Sequence, residues 1–343
     1  MVSAFTSRCP LYCFCIRFNN QPTLMISRPF FFLLLLVAAA CAGAPSDKQS
    51  GEGRPRIAVI PKSVANTYWQ YVKAGAQQAG QTLGCEIVWQ GPADESDLQR
   101  QIALMQDFTA EGVAAIVLAP LDSRSLVASV KAARKRGIPV IIFDSDLEGE
   151  GYDSFVATDN LDAGRECARF VGQLTGLGEK PRIAVLRYLE GSASTTAREA
   201  GFLQGLAADL PDAQVVSAER FAGTTVESAF TAAAELLKTA QPDLVFCPNE
   251  SSTQGMLQAI AAYGKPVRLV GFDANETLIA GLQAGQIEGL AMQDPKKMGY
   301  LAVETAMKVI GNQPFPGRIN TEIHILTREN ISQPDMQSLL NLP

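Results

Sequence analysis

The side chains best placed to do chemistry in this 343-residue chain are polar groups set directly after apolar runs. Lys62 follows Arg56-Ile-Ala-Val-Ile-Pro61, and Asp144 and Ser145 follow Pro139-Val-Ile-Ile-Phe143. Asn249 and Glu250 follow Asp243-Leu-Val-Phe-Cys-Pro248, and Asp273 follows Val267-Arg-Leu-Val-Gly-Phe272. The acids Asp144, Asp146, Glu250 and Asp273 could act in general acid/base catalysis or hold a ligand by hydrogen bonds. Nothing in their spacing marks them as catalytic. His324 is the single histidine, so His-based zinc sites and Ser-His-Asp or Cys-His catalysis are poor starting points. Gly264-Lys265 lacks both the upstream Gly and the following Ser/Thr of a phosphate loop. No G-x-G-x-x-G follows a first strand, and Gly176-Leu-Gly178 precedes a strand and reads as a turn. Gly191-Ser-Ala-Ser lacks the spacing of a nucleophile elbow. The chain is therefore read as a non-enzyme without metal or cofactor.

The elements that must position these residues alternate. Short Ile/Val-rich runs at 56–60, 86–89, 115–118, 139–143, 154–157, 182–186, 214–217, 243–246, 267–271 and 288–292 read as strands. Segments with helical periodicity fill the gaps, at 68–83, 95–111, 123–136, 160–175, 195–209, 225–240, 251–263, 275–284 and 295–311. Continuously apolar strands alternating with helices predict an α/β fold with a buried parallel sheet. The chain also repeats itself. Arg56-Ile-Ala-Val-Ile matches Arg182-Ile-Ala-Val-Leu at an offset of 126, Ile116-Val-Leu-Ala-Pro120 matches Leu244-Val-Phe-Cys-Pro248 at 128, and Phe143-Asp144-Ser145 matches Phe272-Asp273-Ala274 at 129. Three collinear matches imply two similar doubly wound lobes. In such sheets ligands bind beyond the C-terminal strand ends, where the polar residues above are found. Two facing lobes would gather them into one cleft.

The amino-terminal segment has a different character. Phe30 to Ala42 is an apolar run of thirteen residues, about 20 Å as a helix and too short for a ~30 Å hydrocarbon core. With Arg28 before it and small residues after it, the run has the form of an export signal. Met25 would start a signal of conventional length, which makes residues 1–24 either an upstream mis-start or a long basic region. Ala38-Ala39-Ala40-Cys41 resembles a bacterial lipobox, although Ala38 stands where that pattern prefers Leu. Lipidation of Cys41 would attach the chain to a membrane, while cleavage at Ala42-Gly43-Ala44 would release it. Residues 1–41 are thus expected to be a leader and 42–55 a flexible tether. The net charge of −6 divides into a basic leader, with Arg8, Arg17 and Arg28 and no acid, and a body with 26 basic against 35 acidic residues. An acidic body argues against nucleic acid as a partner. Beyond the leader only Cys85, Cys167 and Cys247 remain, too few for a disulfide framework, and they read as small buried hydrophobes.

Taken together, Asn66-Thr-Tyr68-Trp69, Gly137 to Asp144, Ala157-Thr-Asp159-Asn160, Thr195-Thr-Ala-Arg198-Glu-Ala-Gly201-Phe202, Pro248-Asn249-Glu250, Gly271-Phe272-Asp273 and Met292-Gln293-Asp-Pro295 occur in the order of a known family. Over about residues 55–330 the chain resembles the bacterial periplasmic sugar-binding proteins of the ribose-binding type, the solute receptors of ABC importers. The resemblance implies two lobes joined by a three-strand hinge, with crossings near residues 158, 294 and 322. The first lobe would be 56–158 plus 294–322, and the second 159–293 plus 323–343. It implies a ligand pocket of Lys62, Asn66, Tyr68, Trp69, Asp144 and Ser145 from the first lobe, with Arg198, Asn249, Asp273 and Gln293 largely from the second. It also implies a second-lobe aromatic near Phe221. Aromatic rings would pack on the C–H faces of a sugar, while Asp, Asn, Gln and Arg hydrogen-bond its hydroxyls. Each residue has a plainer alternative. Tyr68 and Trp69 could be core, Asp144, Asp273 and Asn66 helix N-caps, and Arg198 the partner of a surface acid. Asp159 and Asn160 are read as a hinge-proximal cap and left out of the pocket.

Two departures stand out. The pentose-binding pattern often has Arg after the first pocket Asp, where this chain has Ser145, and Lys62 occupies a position that is commonly small and polar. Either a cation has moved across the pocket or the ligand carries a group that favours Lys. The expectation is an exported, monomeric receptor, anchored through Cys41, that passes a monosaccharide or sugar-like polyol to an ABC permease. The competing function is a receptor for chemotaxis or a sensor kinase, with an autoinducer-like or other small polar ligand. A repressor of the same fold would need an N-terminal helix-turn-helix, and that stretch here is apolar.

Overall fold

The computed structural model describes residues 53–340. The expected leader, the lipidation candidate Cys41 and the tether as far as residue 52 lie outside the described residues. Two six-stranded sheets organise the rest. The first holds β1 (Arg56–Ile60), β2 (Glu86–Trp89), β3 (Ala115–Leu118), β4 (Val140–Phe143), β5 (Ser154–Thr158) and β11 (Arg318–Thr321), in the order β11-β5-β4-β3-β1-β2 and parallel throughout. The second holds β6 (Arg182–Arg187), β7 (Gln214–Phe221), β8 (Leu244–Phe246), β9 (Arg268–Phe272), β10 (Gly289–Gln293) and β12 (Ile323–Leu326), in the order β12-β10-β9-β8-β6-β7. It departs from the all-parallel expectation at one edge, where β12 runs antiparallel to β10. In each sheet the first strand lies between the second and the third, so the order reverses there and opens a crevice at the C-terminal strand ends.

The strands are apolar because both faces are covered. Every residue of β3 and β4 is buried. Ile57 and Val59 face α1 (Thr67–Leu83) and α9 (Pro295–Ile310), while Ala58 and Ile60 face α2 (Leu98–Glu111) and α3 (Val127–Lys135). In the second lobe Ile183 and Val185 pack with α4 (Asn160–Gln173) and α5 (Ala193–Asp209). Ala184 and Leu186 pack with α6 (Val226–Ala240), α7 (Glu250–Tyr263) and α8 (Glu276–Gln283), and α10 (Pro334–Leu340) adds Met336 to this layer. Cys85, Cys167 and Cys247 are buried and unpaired. No helix among the described residues is long and apolar enough to cross a membrane.

The chain passes between the sheets after β5, after β10 and between β11 and β12. As a result α4, which follows a first-sheet strand, packs on α5 in the second lobe, and α9 packs on α1 in the first. Both pairs are in backbone contact. A Cβ on Gly201 would sit 1.9 Å from Leu161 O, and one on Gly75 would sit 1.8 Å from Lys296 O. This close packing fixes α1 and α5, and both carry pocket residues in their first turns.

Candidate functional site

The C-terminal strand ends of the two sheets face each other across a polar cavity. Nine of the ten residues expected from the sequence line it: Lys62, Asn66, Tyr68, Trp69, Asp144, Arg198, Asn249, Asp273 and Gln293. Ser145 does not. It is fully buried behind the wall, where its Oγ accepts a hydrogen bond from Ser194 N at 3.1 Å. A short side chain after Asp144 can face the second lobe instead of the cavity.

Asp144 and Asp273 are neither helix caps nor ordinary loop residues. Both follow a strand-terminal Phe and both adopt left-handed backbone, at φ 61° and 62°. That conformation is uncommon outside glycine, and Asp tolerates it better than most residues. It ends the strand and turns each carboxylate into the cavity. Asp144 Oδ1 accepts from Tyr68 Oη at 2.8 Å, and Lys62 Nζ lies 3.4 Å from Asp144 Oδ2. Lys62 also donates to Ser192 Oγ at 3.3 Å and Ser194 Oγ at 3.1 Å. All three ammonium donors thus have protein partners, which favours a cation moved across the pocket over a ligand group that demands Lys.

Asp273 accepts from Gln293 Nε2 at 2.8 Å. Burial raises its pKa to about 7, against the opposing pull of the Arg198 charge and the Gln293 bond. Arg198 is held on three sides. Nε donates to Asn160 Oδ1 at 2.8 Å, Nη1 donates to Pro248 O at 2.9 Å, and the guanidinium lies 4.0 Å above the Phe272 ring centre. It is no surface ion pair. Its buried Nη2 has no hydrogen-bond partner among the described residues. A fixed, charged donor left unpaired beside a cavity is a group that an acceptor on a ligand would satisfy.

Asn66 occupies the N-cap position of α1 without capping it, and its Nδ2 donates to Glu95 Oε1 at 3.3 Å. Asn249 does cap, accepting from Ser252 N at 3.3 Å, while its Nδ2 donates to Ser251 Oγ and keeps a second N–H for the cavity. Tyr68 and Trp69 belong to the first-lobe core and line the cavity at the same time, their rings edge to face at 5.0 Å. Asp159 caps α4 as expected, accepting from Asp162 N at 3.2 Å. Asn160 does more than expected, because its Oδ1 positions Arg198.

Five further residues line the cavity: Glu95, Tyr188, Ser194, Thr195 and Glu250. Glu95 is held by both lobes, accepting from Trp69 Nε1 at 2.9 Å and from Tyr188 Oη at 2.7 Å. Tyr188 is the second-lobe aromatic of the cavity. Phe221 is not, since it is partly exposed at a separate groove, where Arg187 lies 4.6 Å above its ring centre. Strand β7 ends on the outer side of Arg187, so its last ring cannot reach the cavity. Glu250 accepts from Tyr68 N at 3.2 Å and from Asn275 Nδ2 at 3.0 Å, with burial raising its pKa.

Two α/β lobes with three crossings, closed over a polar cavity that carries aromatic rings and an unpaired guanidinium donor, define the class of hinged two-lobe binding proteins. The chain belongs to the periplasmic binding protein domain family, whose model matches residues 57–314. The periplasmic component of an ABC-type sugar transport system from Hahella chejuensis is 36% identical, with a TM-score of 0.76 over 80% of this chain and 100% of that one. A carbohydrate transporter solute binding protein from Agrobacterium radiobacter, solved with D-arabinose, is 30% identical, with a TM-score of 0.80 over 85% of this chain and 100% of that one. The ribose import binding protein of Bacillus subtilis is 26% identical over 299 residues, covering 84% of this chain and 94% of its own.

Proposed function

We propose that the cleft binds one monosaccharide, or a polyol of similar size and hydroxyl pattern, and that the closed, loaded protein delivers it to an ABC importer. The observation that carries this reading is the buried Arg198 Nη2, unpaired beside a cavity whose other walls include Asp144, Asp273, Gln293, Asn249, Tyr68 and Trp69. Carboxylates and amides pair with hydroxyls, and the aromatic edges offer apolar surface to C–H groups. Exclusion of water raises the cost of an unpaired group, which is how one epimer would be preferred over another. The reading is of binding and not of catalysis: Asp144 and Asp273 are both engaged in hydrogen bonds within the wall.

The similarity to the D-arabinose complex and to the ribose import protein supports a monosaccharide ligand. The leader reading adds export, lipidation at Cys41 and a monomer tethered at the membrane surface. Replacing Cys41 by Ser would then move the protein from the membrane fraction to the soluble one. The test of the binding function is a thermal-shift screen against pentoses, hexoses, deoxysugars and polyols. A binder at 100 times its Kd adds about 2.7 kcal/mol, or roughly 4–5 °C in Tm for a chain of this size. No shift with any member of the panel would overturn the sugar assignment.

A further inference from the structure

Helices α1 and α5 hold equivalent places, each the first helix after the first strand of its lobe, and their N-termini face each other across the cleft. Their N-cap residues, Asn66 and Ser192, have the extended backbone and the residue types of good caps, yet neither side chain caps its own helix. Asn66 Nδ2 donates to Glu95, and Ser192 Oγ accepts from Lys62. The caps come from the opposite lobe. Glu250, the first residue of α7, accepts from Tyr68 N, the second N–H of α1, at 3.2 Å. Ser145, after β4, accepts from Ser194 N, the second N–H of α5, at 3.1 Å. Both bonds are buried. The first N–H groups of a helix have no intrahelical acceptor, so each helix end requires one.

We propose that Ser145 and Glu250 are positioning residues for ligand binding, each fixing the closed cleft by capping the first helix of the other lobe. The proposal rests on the reading of the cleft as a ligand clamp. On opening, both caps separate from their N–H groups, and Asn66 and Ser192 lie next to the same N–H groups as replacements. The two states therefore differ in which side chain caps each helix, and neither leaves an orphaned helix end. Lys62 acts alongside Ser145, bridging Asp144 to both Ser192 and Ser194. This accounts for the paired departures at positions 62 and 145. A cation and a hydroxyl of the first lobe dock the α5 terminus, where the related pattern carries an Arg beside the ligand. Burial raises the Glu250 pKa, while the bonds from Asn275 and the α1 N–H groups pull it back down.

The test places spin labels at the exposed positions 148 and 219, on opposite sides of the cleft mouth, and follows the inter-lobe distance in the full chain as D-arabinose or D-ribose is added. In Ser145→Ala and Glu250→Gln, the sugar concentration that half-closes the cleft should rise roughly 3- to 30-fold, the fold-change corresponding to loss of a helix cap. Lys62→Met should move it in the same direction. Unchanged midpoints in Ser145→Ala and Glu250→Gln would overturn the proposal. So would midpoints that move only as far as the urea stability of the sugar-free protein falls, because that is a purely structural role. If neither sugar closes the wild-type cleft, it is the sugar assignment that fails. The caps are then tested by the same midpoints with the ligand of the thermal-shift panel that does close the cleft, where a rise of that size supports them and unchanged values overturn them.

Discussion

Gln293 donates from Nε2 to Asp273 Oδ1 at 2.8 Å while its Oε1 accepts from Thr158 Oγ1 at 2.9 Å. Thr158 in turn lies 3.2 Å from Thr321, hydroxyl to hydroxyl. Thr158, Gln293 and Thr321 are the last residues of β5, β10 and β11, where the chain leaves one lobe for the other. One hydrogen-bonded chain therefore links all three crossings to a cavity carboxylate. The bonds at the hinge and the orientation of Asp273 depend on each other.

Gln293→Leu should break that link. Asp273 then loses a donor to its ionised form, so its pKa rises above about 7, and Thr158 loses its acceptor. Leaving buried partners unpaired costs about 1–3 kcal/mol, and sugar affinity should fall by roughly 10- to 100-fold. Calorimetric titration measures the loss, and affinity within twofold of wild type would refute the link.

The Asp273 carboxyl gives the protein a pH dependence of definite sign. Its folded pKa of about 7 lies above the ordinary 3.8, so the sugar-free fold holds this proton more tightly than the unfolded chain does. The corresponding stability is fully present below about 4 and is lost as pH rises through about 7. A sugar hydroxyl that donates to the carboxylate prefers the ionised form. Affinity should therefore weaken up to roughly tenfold per pH unit below 7 and level off above it, with proton release on binding near pH 6.5. Asp273→Asn should flatten the profile. A wild-type affinity that is constant from pH 5.5 to 8 would contradict the assignment.

Arg198→Lys preserves the charge and loses the fork. Lys cannot hold Asn160 Oδ1 and Pro248 O, lie over Phe272 and still present a donor to the cavity. Sugar affinity should drop by roughly 100-fold, and urea stability should fall by about 1–3 kcal/mol from the unpaired acceptors. Wild-type affinity in this variant would show that the guanidinium does not face the ligand.

Gly191 sits at the mouth of the cleft with φ +87°, and a Cβ there would come within 2.1 Å of Asp122 Oδ2 on the first lobe. Its carbonyl accepts from Ser123 N at 3.1 Å. Gly191→Ala should hinder closure, lowering affinity several-fold, beyond the ~1 kcal/mol general cost of the backbone conformation. Asp122→Ala in the same chain should restore part of the affinity, because it removes the obstructing carboxylate. Failure of that restoration would argue against the clash.

The parts of the fold and cavity that could be read from sequence share one physical property. Central parallel strands are apolar along their whole length, so a polar residue directly after one is conspicuous, as Lys62, Asp144 and Asp273 are. Tyr188 obeys the same rule less visibly, because β6 runs one residue past the apolar stretch, through Arg187. Glu95 falls within a segment whose periodicity suggests helix from residue 95. The structure starts that helix at Leu98 behind an Asp97 cap, and only the fold brings Glu95 to Trp69. Strands β11 and β12 leave no such signal, because four-residue edge strands with half-exposed side chains have no apolar run. The family resemblance puts Ser145 in the cavity beside Asp144. Its true partner, Ser194 N, is 49 residues away, and no local pattern records such a contact.

Binding as proposed requires that an acceptor on a single sugar ring complete Arg198 and that sugar hydroxyls meet Asp273. The most direct test is isothermal titration calorimetry at pH 7.5 of the sugar giving the largest thermal shift, on wild type, Arg198→Ala and Asp273→Asn. The wild type should show one site per chain, and both variants at least 100-fold weaker binding, corresponding to about 2.7 kcal/mol or more. Tight binding of the same sugar by either variant would contradict it.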